Sequence, residues 1–336
     1  MHPLFQSIQL KEDSTSKVEL FCRQWDEEAP ISIQTSGSTG KPKVLHFTKA
    51  QLIVSAQKTH AFFHLQQSTK ALLCLSPDSI GGKMMLVRAL VGNYTLYITE
   101  PSLDPLQQLT EPIDFVALVP AQLAHILKNP SSLSKLKSIR NILIGGADLS
   151  MELSEQLLFH GIKAYQSYGM TETVSHVALR EIGKEIAYQA LPGIHFTTTT
   201  DNCLTINYPE LHAHAIQTTD AVELLSEHAF LWKGRTDFVI NSGGKKIHPE
   251  ALEQRLSTFI SGRFFLHSIP HPLWGEALVL VTEEACSLKK MDLIPYFSSH
   301  EIPKFSQTVP MILTASGKIQ RTLTFQQTAS DAWLSL

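Results

Sequence analysis

Cysteine is scarce in this chain of 336 residues: Cys22, Cys74, Cys203 and Cys286 are the whole complement, far apart and without a C-x-x-C pair. That spacing excludes a disulfide scaffold and a cysteine zinc site, and fits reduced thiols in a cytoplasmic setting. An excess of either charge is also lacking. The 28 Lys and Arg nearly balance the 31 Asp and Glu, giving a formal net charge of -3, which removes the electrostatic case for nucleic acid or an anionic membrane as partner. Long apolar runs are absent too. The first twenty residues are broken by Lys11, Glu12, Asp13 and Lys17, and the most apolar later stretch by Arg88 and Asn93, so neither a signal peptide nor a membrane span is expected. With no internal repeat or low-complexity tract, organisation has to be read from the alternation of strand and helix patterns.

That alternation is plentiful, and a hydrophobic share of 43% is enough to fill two cores. Runs at 31–34 and 44–47 alternate like paired strands, and Thr48 caps a helical stretch from about Lys49. Short apolar runs at 71–75 and 94–98 flank a helix over 83–90, and the pattern continues with a strand at 115–119, a helix from Pro120 and a strand at 141–144. From about Ile194 to Trp232 the segments are short and alternating, which predicts a β-rich end to the larger domain. Beyond 237 a new unit is expected: a helix from Pro249 to about Phe259, strands at 264–269 and 277–282, and a helix near 288–297. The fold class is therefore α/β, with a large domain over 1–236 and a small α+β domain over 237–336.

The most informative segment is Thr35-Ser36-Gly37-Ser38-Thr39-Gly40-Lys41-Pro42-Lys43. Its glycines allow a tight backbone with exposed N–H groups, its hydroxyls donate, and its lysines add positive charge, all of which suits a polyphosphate. It is not a Walker A loop, because only two residues separate Gly37 from Gly40 and Pro42 follows Lys41. By itself the segment equally suits an ordinary polar hairpin loop. Three later segments change that: Tyr168-Gly169-Met170-Thr171-Glu172-Thr173, then Gly234-Arg235-Thr236-Asp237 leading into Ser242-Gly243-Gly244-Lys245, and finally Ser316-Gly317-Lys318.

In that order these four segments resemble the adenylate-forming superfamily of acyl-CoA synthetases, peptide-synthetase adenylation domains and luciferases. The resemblance implies a nucleotide-binding domain joined to a mobile C-terminal lid, with ATP, Mg2+ and CoA as cofactors and a small-molecule carboxylic acid as substrate. It assigns Thr35, Ser36, Gly37, Ser38, Thr39, Gly40 and Lys43 to the phosphates, Tyr168, Gly169 and Gly146 to the adenine side, and Thr171 to the α-phosphate. Glu172 becomes the metal ligand, since Mg2+ takes oxygen donors. Asp220 and Arg235 fall to the ribose, although Thr219 stands where the family usually has glycine. Lys318 becomes the catalytic cation of adenylation. Asp237 corresponds to the hinge, and Gly243 and Gly244 to the loop that admits a pantetheine arm for the thioester step. Simpler readings stand beside these: Gly145-Gly146 as a strand-end turn, and Gly243-Gly244 as a turn before a helix.

Which acid is activated rests on narrower clues. Gly82-Lys83-Met84-Met85-Leu86-Val87-Arg88, Val119-Pro120-Ala121-Gln122-Leu123 and the segment Thr173 to Arg180 look similar to compact bacterial O-succinylbenzoate:CoA ligases of menaquinone synthesis. Such an acid has a second carboxylate to hold, so its pocket needs a cation or strong donors. His176, Arg180, Lys83 and Arg88 are the candidates, in that order. Ligation of another aryl or fatty acid, loading of a carrier protein, and a nucleotide binder without catalysis remain alternatives at this stage.

Overall fold

A computed structural model describes residues 2–8, 10–34, 43–286, 288–314 and 318–336. The phosphate-loop candidates Thr35, Ser36, Gly37, Ser38, Thr39 and Gly40, and Ser316 and Gly317 before Lys318, lie outside the described residues.

The strands in chain order are β1 (Phe5–Ile8), β2 (Ile31–Gln34), β3 (Val44–Phe47), β4 (Lys70–Leu73), β5 (Thr95–Thr99), β6 (Phe115–Leu118), β7 (Asn141–Ile144), β8 (Tyr165–Gly169), β9 (His176–Glu181) and β10 (Tyr188–Ala190). The series continues with β11 (His195–Thr198), β12 (Cys203–Asn207), β13 (Ile216–Ser226), β14 (Ala229–Arg235), β15 (Ile240–Ser242), β16 (Lys245–Ile247), β17 (Phe264–His271), β18 (Gly275–Thr282), β19 (Phe305–Thr308) and β20 (Leu334–Ser335). The helices are α1 (Glu12–Asp26), α2 (Lys49–Phe63), α3 (Ile80–Gly92), α4 (Pro120–Lys128), α5 (Pro130–Ser138), α6 (Met151–Phe159), α7 (Pro249–Leu256), α8 (Lys290–Leu293) and α9 (Arg321–Phe325).

Among the described residues, twelve strands form one sheet in the order β1-β5-β4-β6-β7-β8-β9-β10-β14-β13-β12-β11. The first six run parallel, and the direction reverses at β8–β9, from which the sheet continues antiparallel. Successive side chains alternate between its faces. Phe115 and Ala117 join a core that includes residues of α1 to α3, whereas Val116 and Leu118 join a second core with Leu123, Leu136 and Leu157 from α4 to α6. Helices thus cover both faces, as a buried parallel sheet requires. The second sheet gathers β16-β15-β18-β19-β20, with β17 paired to β18, around a core including Ile240, Leu252, Leu266 and Leu280.

Local chemistry accounts for the helix starts. Thr48 and Gln51 form a capping box at α2, and the Ser79 hydroxyl accepts from Gly82 N at α3. The single helix expected from Pro120 is two, because Pro130 starts α5 directly after the turn at Asn129. The helix expected at 288–297 shrinks to Lys290–Leu293, where little but Leu293 faces the core and Met291, Ile294 and Tyr296 stay exposed.

Candidate functional site

The carboxyl ends of β7 and β8 open toward the reversal in strand direction, the place where an α/β sheet offers a crevice. At the end of β8 the backbone comes very close to β9. A Cβ on Gly169 would sit 2.3 Å from the Ser175 carbonyl oxygen, so only glycine fits. Gly146, just past β7, has φ of +85°.

Thr171–Thr173 then make one 3-10 turn, ended by Val174 at φ of +64°. A buried β-branched residue in the left-handed region is strained and has to be held by its surroundings. Thr173 holds it: its hydroxyl reaches the Met170 carbonyl at 2.9 Å and the Ser175 carbonyl at 2.7 Å. The reversal leads directly into β9, whose first residue, His176, lies opposite Gly169. His212 Nε2 lies 2.7 Å from the Glu172 backbone oxygen, while the Glu172 carboxylate has no partner among the described residues.

The hairpin β13–β14 sets Asp220 directly opposite Arg235. Asp220 is buried and accepts from Tyr168 Oη at 2.6 Å and from Trp232 Nε1 at 3.1 Å. Burial, and then the Asp220 charge, push the Tyr168 phenol well above its usual range, so it stays a donor. The Tyr168 ring packs edge-on to Phe230, with centroids 5.0 Å apart. Arg235 donates to Thr219 Oγ1 at 2.8 Å and to Asp237 Oδ2 at 2.5 Å, and Thr219 Oγ1 also reaches Asp237 at 3.0 Å. Thr219, in place of the family glycine, therefore belongs to this network.

Lys318 comes to the same place from the far end of the chain. It closes a narrow hairpin, with Thr314 N donating to its carbonyl at 2.8 Å and Leu313 bridged to Ile319. Burial and then the Arg235 charge pull its ammonium below the ordinary lysine range, while Asp220 acts in the opposite direction. Residues 168, 220, 235 and 318 are thereby gathered at one site.

A second cluster lies beyond His176. Arg88 is 1% exposed, yet no carboxylate is among its partners in the described residues: it donates to Thr59 Oγ1 at 3.2 Å and Ser175 Oγ at 2.8 Å, and Nη1 lies 3.7 Å from Met85 Sδ. Burial lowers its pKa to about 10, so it remains a cation at neutral pH. His176 sits between the same two hydroxyls, 3.3 Å from Thr59 and 3.1 Å from Ser175. Burial, reinforced by Arg88, holds it well below the usual histidine range and therefore neutral. Arg88 is thus the buried cation of this cluster and His176 its neutral neighbour. Arg180 is occupied elsewhere, by Gln166 at 2.5 Å and by the Tyr188 ring at 4.9 Å. Lys83 donates to the Ser32 carbonyl at 2.9 Å.

Gly243 and Gly244 form the two-residue turn between β15 and β16, with φ of 57° and 76°. Two consecutive left-handed positions favour glycine, and a Cβ on Gly244 would meet nothing within 4 Å. Lys43 is exposed and immediately precedes β3. Sequence reasoning missed Trp232 and Ser175. Trp232 could have been found by folding 216–235 about Glu227-His228, which brings it to the strand that carries Asp220.

Residues 6–197 match the family of AMP-binding enzymes. The 2-succinylbenzoate–CoA ligase of Staphylococcus epidermidis is 27% identical over 332 residues, spanning 85% of this chain and 67% of the relative. Among solved structures, an acyl-CoA synthetase (AMP-forming)/AMP-acid ligase II-like protein from Dyadobacter fermentans is 36% identical with a TM-score of 0.65, covering 95% of this chain and 96% of that one. The o-succinylbenzoate CoA synthetase of Bacillus subtilis, in complex with its acyl-adenylate intermediate, shares the fold at a TM-score of 0.78 and 21% identity, covering 90% of this chain and 70% of that one.

Proposed function

The chain belongs to the AMP-binding enzyme family, and on that footing we propose that it is an acid:CoA ligase acting through an acyl-adenylate, with o-succinylbenzoate as the acid. The observation that carries this is that Lys318, from the far end of the chain, folds within range of the charges of Arg235 and Asp220. A binder of nucleotide alone has no need of a desolvated cation brought there from the tail of the chain.

In the first half-reaction a carboxylate oxygen of the acid attacks the α-phosphorus of ATP, forming the O–P bond as the bond to pyrophosphate breaks. Two anions meet, so positive charge must be fixed in place beforehand. Lys318 supplies it at the α-phosphate and acyl oxygens, with the Thr171 hydroxyl donating on the other side. Asp220, whose oxygens keep lone pairs beyond those used by Tyr168 and Trp232, accepts from the ribose hydroxyls, and Arg235 donates to the same sugar. Thr35, Ser36, Gly37, Ser38, Thr39, Gly40 and Lys43 take the leaving phosphates. Magnesium accompanying the nucleotide would neutralise phosphate charge, and the Glu172 carboxylate, without a partner among the described residues, is a fitting oxygen donor for it.

In the second half-reaction the CoA thiolate attacks the acyl carbonyl and AMP leaves with the bonding pair. Residues 1–236 and 237–336 act as two units that turn about Asp237, so that the Gly243-Gly244 face replaces Lys318 at the site. Arg88, with His176, Thr59 and Ser175 around it, receives the carboxylate that is not activated. A buried guanidinium without a counter-ion is what a dicarboxylic substrate would complete. We place the reaction in the cytoplasm, where ATP and CoA are supplied.

The test is pyrophosphate release from ATP across a panel of carboxylic acids, with and without CoA, followed by mass detection of the product. Acid-dependent release with o-succinylbenzoate preferred, and a thioester formed only with CoA, is the expected result. Release that is independent of any acid overturns the ligase reading, and preference for a monocarboxylic acid overturns the substrate.

A further inference from the structure

The turn of the β13–β14 hairpin carries a cluster that ligase chemistry does not use. Glu227 and His228 form that turn, and His195 begins β11, the last strand of the large sheet. The edge strand comes back to the turn, where Phe196 N donates to the Glu227 carbonyl at 2.7 Å, while Ala190 at the end of β10 donates its N–H to the His228 carbonyl at 2.8 Å. Three side chains converge as a result. One Glu227 carboxylate oxygen lies 3.7 Å from His195 Nδ1 and the other 3.4 Å from His228 Nε2, with all three ligand atoms within 4.8 Å of one another.

Two details give these side chains a direction. Nδ1 of His195 is shut off from solvent and has no hydrogen-bond partner among the described residues, an uncommon state for a polar atom in a folded protein. His228 places its own Nδ1 3.3 Å from the Ile194 carbonyl, and donating there leaves the lone pair on Nε2, facing Glu227. A ring nitrogen that donates to a backbone carbonyl, fixing the tautomer and leaving the other nitrogen to ligate, is the usual support of a metal-binding histidine.

We propose that His195, Glu227 and His228 bind a divalent transition-metal ion, zinc by preference, as a clasp between the edge strand and the hairpin turn. Zinc–nitrogen and zinc–oxygen bonds of about 2.0–2.2 Å put tetrahedral ligand atoms roughly 3.3 Å apart, so small rotations of the half-exposed rings complete the set. Water takes the fourth position. Two imidazoles and one carboxylate suit zinc and its neighbours, whereas magnesium prefers oxygen ligands only. The clasp is thus chemically separate from the metal that accompanies ATP. It is separate in space as well, since Asp220 and Arg235 pair at the other end of the hairpin, roughly 20 Å along the strands.

Untagged, metal-free protein titrated with zinc by calorimetry, in the presence of excess magnesium, provides the test. The expected result is one zinc per chain, with affinity lowered at least about tenfold in His195→Ala and in His228→Ala, a loss that even an outer partner of a metal ligand can produce. Zinc should raise the melting temperature of the parent protein and leave that of the double variant unchanged, and the conservative Glu227→Gln should weaken binding in the same direction. Zinc-free pyrophosphate release serves as the folding check, because none of the three residues belongs to the ligase site. The proposal is overturned if the parent protein takes up no zinc, if magnesium displaces it, or if the double variant binds with parental stoichiometry and affinity.

Discussion

Tyr168 donates its phenolic hydrogen to Asp220 at 2.6 Å, and this bond joins the end of the parallel half of the sheet to the antiparallel hairpin that carries Asp220 and Arg235, the pair proposed to hold the sugar. Without it Trp232 would be the one side-chain donor left to the carboxylate among the described residues.

Tyr168→Phe is therefore expected to lower kcat/KM for ATP by about tenfold, the value of one charge-assisted hydrogen bond, and to change KM for the acid little. Steady-state kinetics with each substrate varied in turn checks this. An unchanged ATP dependence would mean that Asp220 needs no such support.

Arg88→Met separates substrate binding from stability. Removing a fully buried charge that has no ionic partner among the described residues, at similar side-chain length, should leave the melting temperature unchanged or raise it. The same change should raise KM for o-succinylbenzoate by roughly 10- to 100-fold, as expected for loss of a hydrogen-bonded charge. Calorimetry and acid-dependent kinetics on one preparation read both effects. A large fall in melting temperature with intact acid affinity would make Arg88 a structural residue.

Much of the fold was legible because the signals are local. Asn141–Ile144 is a strand bounded as its apolar run suggests, and Thr48 caps α2 with the residue pattern that announces it. The site was legible in its residue types but not in its connections. The pairing of Asp220 with Tyr168 and Trp232 depends on two strand registers far apart in sequence, and β13–β14 contains register shifts that no periodicity reports. Burial was the other hidden variable. Arg88 interrupts an apolar helix and, read in sequence, suits a flank, yet packing leaves it only 1% exposed.

Asp237 anchors Arg235 and Thr219 as well as lying at the expected pivot. Asp237→Ala removes the carboxylate alone, while Asp237→Pro also fixes φ. The proline variant should be slower than the alanine variant in thioester formation and equal to it in adenylation. Single-turnover rates for the two half-reactions provide the comparison, and equal losses in both would count against rotation at this residue.

The Lys318 ammonium has its pKa lowered by burial and by Arg235. A base with a lowered pKa is fully charged on the acid side and loses its proton as pH rises through the shifted value. Adenylation should accordingly fall off on the alkaline side earlier than an ordinary lysine would allow, and Lys318→Arg should move that limb to higher pH. Thioester formation from supplied acyl-adenylate should lack the limb. Coincident alkaline limbs in both steps would assign the ionisation to another group.

The most direct test of the account is to measure both half-reactions in Lys318→Ala. The account predicts that acyl-adenylate formation is abolished, while CoA thioester is still made from acyl-adenylate supplied to the enzyme. Equal loss of the two steps, or adenylation at the parental rate, would contradict it.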